Sequence, residues 1–460
     1  MKKFLSVFLV VVLILSLCAC GESGKSEDAT GLQVGYHKIN ITPSYTVSLS
    51  GYGDEAIRTS DQGCIVDYLY ATCIAVRSGE DTILVYTIDN LSIPINFQRE
   101  YRANIAIVTG ISQDKIFFGA THSHSAPLMS GQYPTDLMNW LMTAGQEAIE
   151  DLSPATMSAC KTNYEGMTFV RHYKNDDGTY VGSNFGHWGN LVGHATEPDT
   201  VGALVKFDRA DDKKDILMVN WQAHMDRGTE LGRYNLAPSW CGPLRNKLEE
   251  LTGMQVAYFT GDSGNLNADS KIASEAHNLD WRAYGEKMAE LMAGSLGDLQ
   301  PVNGTAIKTD RQTVDVLVNH QWDHKLIQAN EVVALWNSTN DATAANNLAR
   351  SYDISSRHHA SAICYLATKG MNDQLEANAF SIGELGFITG TYEMFSTSGR
   401  YIKENSPFDI TFIITGNCYY VPSREAYEVY RCYESDTSHF AVGTAETMDA
   451  KFLEMLNGLK

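Results

Sequence analysis

The 460-residue chain is short of positive charge, with 35 Lys and Arg against 55 Asp and Glu and a net charge of −20. Nucleic-acid recognition needs clustered Lys and Arg, so this deficit excludes a nucleic-acid partner. Nor is such a surface drawn to anionic lipid headgroups. No two cysteines have Cys-x-x-Cys spacing, which argues against a cysteine-ligated zinc. No internal repeat, low-complexity tract or Pro- or Gly-rich linker interrupts residues 31–460. One mixed α/β domain is therefore expected there, a single large mixed sheet with flanking helices and no C-terminal sandwich domain.

The N-terminus carries the longest apolar run. Met1-Lys2-Lys3 precedes an apolar stretch over residues 4–17. That stretch is too short, and wrongly flanked, for a comfortable transmembrane helix, and has the character of a signal-peptide core. It closes on Leu17-Cys18-Ala19-Cys20, which resembles the lipobox of bacterial lipoproteins, where the cysteine becomes the lipidated first residue. Residues 1–19 are then a lipoprotein signal peptide and 20–30, small and polar, a flexible tether. The expected location is the cell envelope, outside the cytoplasm, anchored to the membrane through lipid on Cys20; the competing reading is an ordinary cleaved signal peptide. Loss of Lys2 and Lys3 takes the net charge from −20 to near −22. Cys64, Cys73, Cys160, Cys241, Cys364, Cys418 and Cys432 remain, an odd number that leaves at least one thiol unpaired. Most read as small buried core residues, with one disulfide possible.

Hydrophobic periodicity predicts strands over 68–76, 82–88, 115–120, 201–207, 216–221, 255–260, 379–387 and 410–415. Helices are expected from Tyr133-Pro134 to about residue 152, over 242–251, 279–296 and 444–459, and through much of 326–366. Residues 175–179 read as a turn.

Polar motifs stand at the ends of several of these strands, where open α/β sheets place their ligands. Thr121-His122-Ser123-His124-Ser125-Ala126-Pro127 follows the strand over 115–120. On an extended segment His122 and His124 point to one face, as in a metal site or a metal ligand beside a catalytic neighbour. Asn220-Trp221-Gln222-Ala223-His224 ends another strand, and Gly261-Asp262-Ser263-Gly264 a third. Glu393 and Tyr420 follow two later ones. Two imidazoles, a carboxylate and a phenol can hold one zinc and leave a position for water.

The ordered set resembles the neutral/alkaline (non-lysosomal) ceramidase family over most of the chain. Its landmarks are Ile41-Thr42-Pro43, Gly51-Tyr52-Gly53, the His122 motif (similar to the family's T-H-T-H-S-G-P), the His224 motif and Gly261-Asp262-Ser263. Later ones are Glu393 followed by Gly399-Arg400, and Tyr420-Val421-Pro422-Ser423-Arg424-Glu425 followed by Tyr433-Glu434. The resemblance implies a ceramidase catalytic-domain-like fold and zinc held by His122, His224, Glu393 and Tyr420, with Tyr419 the alternative to Tyr420. It further implies catalytic roles for His124, Arg171, Ser263 and Tyr433. Asp89, at a strand end, is a candidate to orient a ligand histidine or a turn carboxylate.

The activity implied is zinc-dependent cleavage of the N-acyl amide bond of ceramide or a related N-acyl lipid by attack of a metal-bound water. Zinc lowers the pKa of that water toward about 7, and His124 is the candidate acid for the leaving amine. Two other readings use the same residues. Gly261-Asp262-Ser263 with Asp436-Thr437-Ser438-His439 resembles GDS-type serine esterases, with Ser263 and His439 in a triad. A non-catalytic metal- or ligand-binding surface lipoprotein is the other.

Overall fold

The computed structural model describes residues 31–52, 58–182, 185–226, 233–272, 275–416 and 419–460. The expected signal peptide, the tether with Cys20, and also Gly53 and Cys418, lie outside the described residues.

Strands β1 (Leu32–Asn40), β2 (Tyr70–Ser78) and β3 (Asp81–Ile88) form an unbroken antiparallel ladder. Alternate side chains serve two cores: Ile74, Val76, Ile83 and Val85 face one, while Cys73, Ala75, Leu84 and Tyr86 face the other. Burial on both faces explains why β2 and β3 read as nearly continuous apolar runs. β4 (Ile116–Ala120) joins parallel to β3. The sheet continues on the far side of β1 through β5 (Ser153–Asn163), β6 (Val201–Arg209), β7 (Ile216–Trp221) and β8 (Gln255–Thr260). Its order is β8-β7-β6-β5-β1-β2-β3-β4, nine strands with the short Gln300–Pro301 beside β5. The β7–β8 pair is also parallel. The mixed sheet expected from sequence is therefore present.

A second sheet, not separated by sequence reasoning, packs against the first. β9 (Ile307–Leu317), β10 (Asn372–Ile382), β11 (Leu385–Gly390) and β12 (Ile410–Thr415) lie side by side in chain order. The single strand expected over 379–387 is a hairpin. The chain reverses at Gly383, whose φ is +56°, and Ile382 pairs with Leu385. A Cβ at Gly383 would sit 2.2 Å from the Gly304 carbonyl oxygen, so only glycine fits the turn. Phe117 of β4 stacks on Phe380 of β10 at 4.4 Å, and Phe380 on Phe387 at 4.5 Å, so the two sheets share one core.

Helices close the other faces. α1 (Ile95–Thr109) and α2 (Tyr133–Glu150) cover one half of the large sheet, α2 through the predicted stripe Leu137, Leu141, Ala144 and Ala148. α3 (Cys241–Thr252) and α4 (Trp281–Gly294) cover the other with Leu244, Leu248, Tyr284 and Met288. The helical region over 326–366 resolves into α5 (Leu326–Thr339), α6 (Ala342–Ser351) and α7 (Arg357–Leu366), which share a small core of their own. Asp341 and Ser356 cap the second and third of these, each accepting a backbone N–H. α8 (Ser396–Asn405), α9 (Tyr433–Thr437) and α10 (Thr444–Leu459) complete the chain, with α10 packed on the second sheet. Among the described residues no helix is long and apolar enough to cross a membrane. None of the six described cysteines forms a disulfide, and Cys73, Cys160, Cys241 and Cys432 are buried as expected.

β4, β8 and β12 end together. The Thr260 hydroxyl donates to the Thr121 carbonyl at 3.1 Å, and the Thr415 hydroxyl to the Gly261 carbonyl at 3.1 Å. With the parallel neighbours β7 and β11, five strands release their next residues into one place.

Candidate metal centre

That place holds three imidazoles. The Nε2 of His122 lies 3.0 Å from that of His224 and 3.2 Å from that of His124, and the His124–His224 separation is 3.1 Å. Together they form a group able to hold a metal ion. The sequence expectation of an extended segment from His122 to His124 is not met. His122 has φ +66°, in the left-handed region that non-glycine residues seldom enter. This kink brings two rings, whose residues on a strand would stand about 6.6 Å apart, into direct contact. Gly51 backs the second ring; a Cβ there would lie 2.7 Å from the His124 Cα and Cγ.

Backbone carbonyls fix two of the rings. His122 Nδ1 faces the Leu91 carbonyl at 3.0 Å and His224 Nδ1 the Ser263 carbonyl at 3.3 Å. A carbonyl only accepts, so each Nδ1 carries the proton and each Nε2 presents a lone pair. Burial lowers the basicity of all three: His122 falls to about 3, and His124 and His224 fall well below the usual value. Neutral imidazoles are the form that binds metal.

Glu393 approaches from the second sheet. Its segment Glu393–Met394 pairs in parallel with Tyr420–Val421, Glu393 opposite Tyr420. Oε2 of Glu393 lies 3.5 Å from His122 Nε2, and this buried oxygen accepts no hydrogen bond. Burial pushes the Glu393 carboxyl up to about 8. Converging lone pairs and an orphaned carboxylate oxygen are what a divalent cation satisfies, so these residues fit the expected metal. Tyr420 belongs to the same group: Arg171 donates to its hydroxyl at 3.1 Å. Tyr419 instead stacks on His439 at 3.9 Å and is exposed, so Tyr420 is the tyrosine beside the histidines' carboxylate partner.

The other sequence candidates divide. Arg171 is brought in, donating also to the Gly264 carbonyl at 2.9 Å and to Glu434. The Tyr433 ring meets Tyr420 edge-on at 6.1 Å. Ser263 is buried and contributes its carbonyl to His224. Asp89 does not orient a histidine: it is wholly buried and holds Arg245 through two bonds of 2.8 and 2.6 Å, leaving the histidine contact to Leu91. The Ser263–His439 pair is not assembled. His439 packs between Tyr419 and Tyr365, and Asp436 binds Arg431 at 2.8 Å. Arg400 is off the site, its Nη1 on the Glu197 carbonyl.

Sequence reasoning missed Arg58 and His172, and noted Glu434 only as a family landmark without a role. Arg58 is buried and donates to the Ser50 and His124 carbonyls, tying the turn at Gly51 to the histidine loop. Glu434 takes bonds from Arg171 and His172. An adjacent Arg171-His172 pair was the available signal, unreadable without its distant carboxylate.

The fold and site define a mixed α/β protein with three clustered imidazoles at its strand ends that could hold a metal ion. No protein-family model and no curated protein matches the chain. Among solved structures it is similar to the neutral ceramidase from Pseudomonas aeruginosa, with a TM-score of 0.69 and 14% identity over 94% of this chain and 75% of that one. A structure described as ceramidase complexed with C2 gives a TM-score of 0.67 at 14% identity and the same coverage. The chain has the neutral-ceramidase fold.

Proposed function

We propose that the chain is a zinc-dependent hydrolase of the N-acyl amide bond of ceramide or a related N-acyl lipid. The observation that carries this reading is the convergence of the His122 and His224 lone pairs beside the orphaned Glu393 oxygen. The fold likeness to neutral ceramidases suggests the substrate class.

His122, His224, Glu393 and Tyr420 would hold the cation. Bound there, zinc lowers the pKa of a water toward about 7 and polarises a carbonyl. The remaining work falls to the chain. His124, the one partly exposed imidazole of the three and neutral at rest, would take a proton from the attacking water and pass it to the leaving amine. Arg171, which donates to the Tyr420 hydroxyl, would hold that oxygen in place beside Glu393. The Ser263 main chain keeps His224 in its tautomer, and Tyr433 walls the side of Tyr420. Products are a carboxylate and a free amine.

The test is release of fatty acid from short-chain fluorescent N-acyl sphingosines by the purified domain, with zinc measured by elemental analysis. Loss of activity with chelator and in His122→Ala or His224→Ala is expected. Full activity in those variants, with inactivation by a serine-directed organophosphate, would sink the proposal in favour of the esterase. Zinc at unit stoichiometry without turnover of any acyl substrate would favour a receptor.

We further propose that the domain is held outside the cytoplasm by lipid on Cys20. Cys20→Ser should move the protein from the membrane to the soluble fraction and abolish metabolic labelling with a fatty acid; unchanged fractionation and labelling would refute it.

A further inference from the structure

Glu434 is 0% exposed, a setting in which a carboxylate needs close partners. Two consecutive residues grip it: Arg171 donates from Nε at 2.6 Å, and His172 Nε2 lies 2.7 Å from the other oxygen. Burial raises a carboxyl, but the Arg171 charge and the bond to His172 outweigh it and hold the Glu434 carboxyl well below the usual range. His172, Cys432 and Glu434 also form a group of metal-binding type. Both carboxylate oxygens are already engaged, however, and the Cys432 side chain caps α9. The cluster is an electrostatic clamp.

What it clamps stands in the field of the cation site. Arg171 donates to Tyr420 at 3.1 Å. Behind burial, its charge is among the causes that lower the basicity of His122, His124 and His224. An unopposed guanidinium so placed, in a site shielded from water, repels any bound cation.

We propose that Glu434 is a charge-compensating, positioning residue of the metal centre. Its carboxylate cancels the Arg171 charge, so Arg171 keeps its donors on Tyr420 and Gly264 without weakening a cation held by His122, His224 and Glu393. This holds on the reading that the site binds zinc; neither Glu434 nor Arg171 is itself one of the residues that would hold it.

The experiment is zinc affinity by competition with a chromophoric chelator, with folding checked by circular dichroism. Glu434→Gln should bind zinc roughly tenfold or more weakly than wild type. The double variant Arg171→Met with Glu434→Gln should return to within about threefold of wild type, because both charges have gone. A purely structural carboxylate would leave the double variant as weak as the single one, and that result overturns the proposal. So does Glu434→Gln with unchanged affinity. If Glu434→Gln does not fold, Arg171→Met carries the test: it should bind zinc at least as tightly as wild type while losing activity, and weaker zinc binding overturns the proposal. Wild-type protein that binds no zinc would overturn the hydrolase reading and this inference together, whereas zinc binding indifferent to Glu434 overturns the inference alone.

Discussion

The Nε2 atoms of His122 and His224 lie 3.0 Å apart although 102 residues separate them in the chain. Each ring is held by a backbone carbonyl from another segment, Leu91 at 31 residues from His122 and Ser263 at 39 from His224. The facing lone pairs are therefore built into the main chain, and a cation is what relieves their repulsion.

Zinc should stabilise the folded protein. At about 100 times its Kd it adds ~2.7 kcal/mol to folding, read as a rise in Tm. His122→Ala and His224→Ala should lose most of that rise. An equal rise in wild type and both variants would place the zinc elsewhere.

Tyrosine identity is testable by a matched pair. Tyr420→Phe should lower activity roughly 10–100-fold, while Tyr419→Phe, whose ring stacks on His439 outside the site, should stay near wild type. The opposite ranking would reinstate Tyr419 as the ligand.

Asp89 should matter for stability and not for metal. Asp89→Ala strands the buried Arg245 charge and should cost about 3–5 kcal/mol in denaturant unfolding. Zinc stoichiometry of the protein that remains folded should be unchanged. Loss of zinc from a well-folded variant would restore its role as a histidine orienter.

Gly399 sits against the loop that follows β8. A Cβ there would meet Asp262 Cγ at 2.1 Å. Asp262 is fully buried and tied to Lys403 at 3.5 Å, so it has little room to withdraw. Gly399→Ala should destabilise by about 1–3 kcal/mol, measured by urea unfolding, and a neutral result would mean that the loop yields.

Ser263→Ala should keep full zinc binding, since the His224 contact uses the Ser263 carbonyl and not its hydroxyl. Organophosphate should leave the wild-type enzyme active. Covalent labelling of Ser263 would revive the triad, against the packing of His439 between Tyr419 and Tyr365.

Much of the frame was legible. β4, β7, β8 and β12 are short apolar runs ending in polar motifs, and burial on both faces of a sheet makes such runs conspicuous. The stripe on α2 is visible because its residues recur at helical spacing on a half-buried helix. The β10–β11 hairpin was not legible, because its turn residues lie between strands apolar on both faces and Gly383 alone marks the reversal. The role of Asp89 stayed open between histidine orienter and turn carboxylate because a strand-end carboxylate looks the same in sequence whether it meets a histidine or an arginine.

The sequence by itself determined which residue types stand at the strand ends: His122, His224, Ser263, Glu393 and Tyr420, each following an apolar run whose burial is set by local pattern. Only the tertiary structure decided how they meet. The left-handed turn at His122 aims its ring at His224 and His124. Parallel pairing of Glu393–Met394 with Tyr420–Val421 places a carboxylate beside a phenol and turns Tyr419 outward. Glu434 reaches Arg171 across 263 residues to balance its charge. Backbone kinks, strand register and buried charge pairing depend on contacts distant in the chain, and local periodicity carries no record of them.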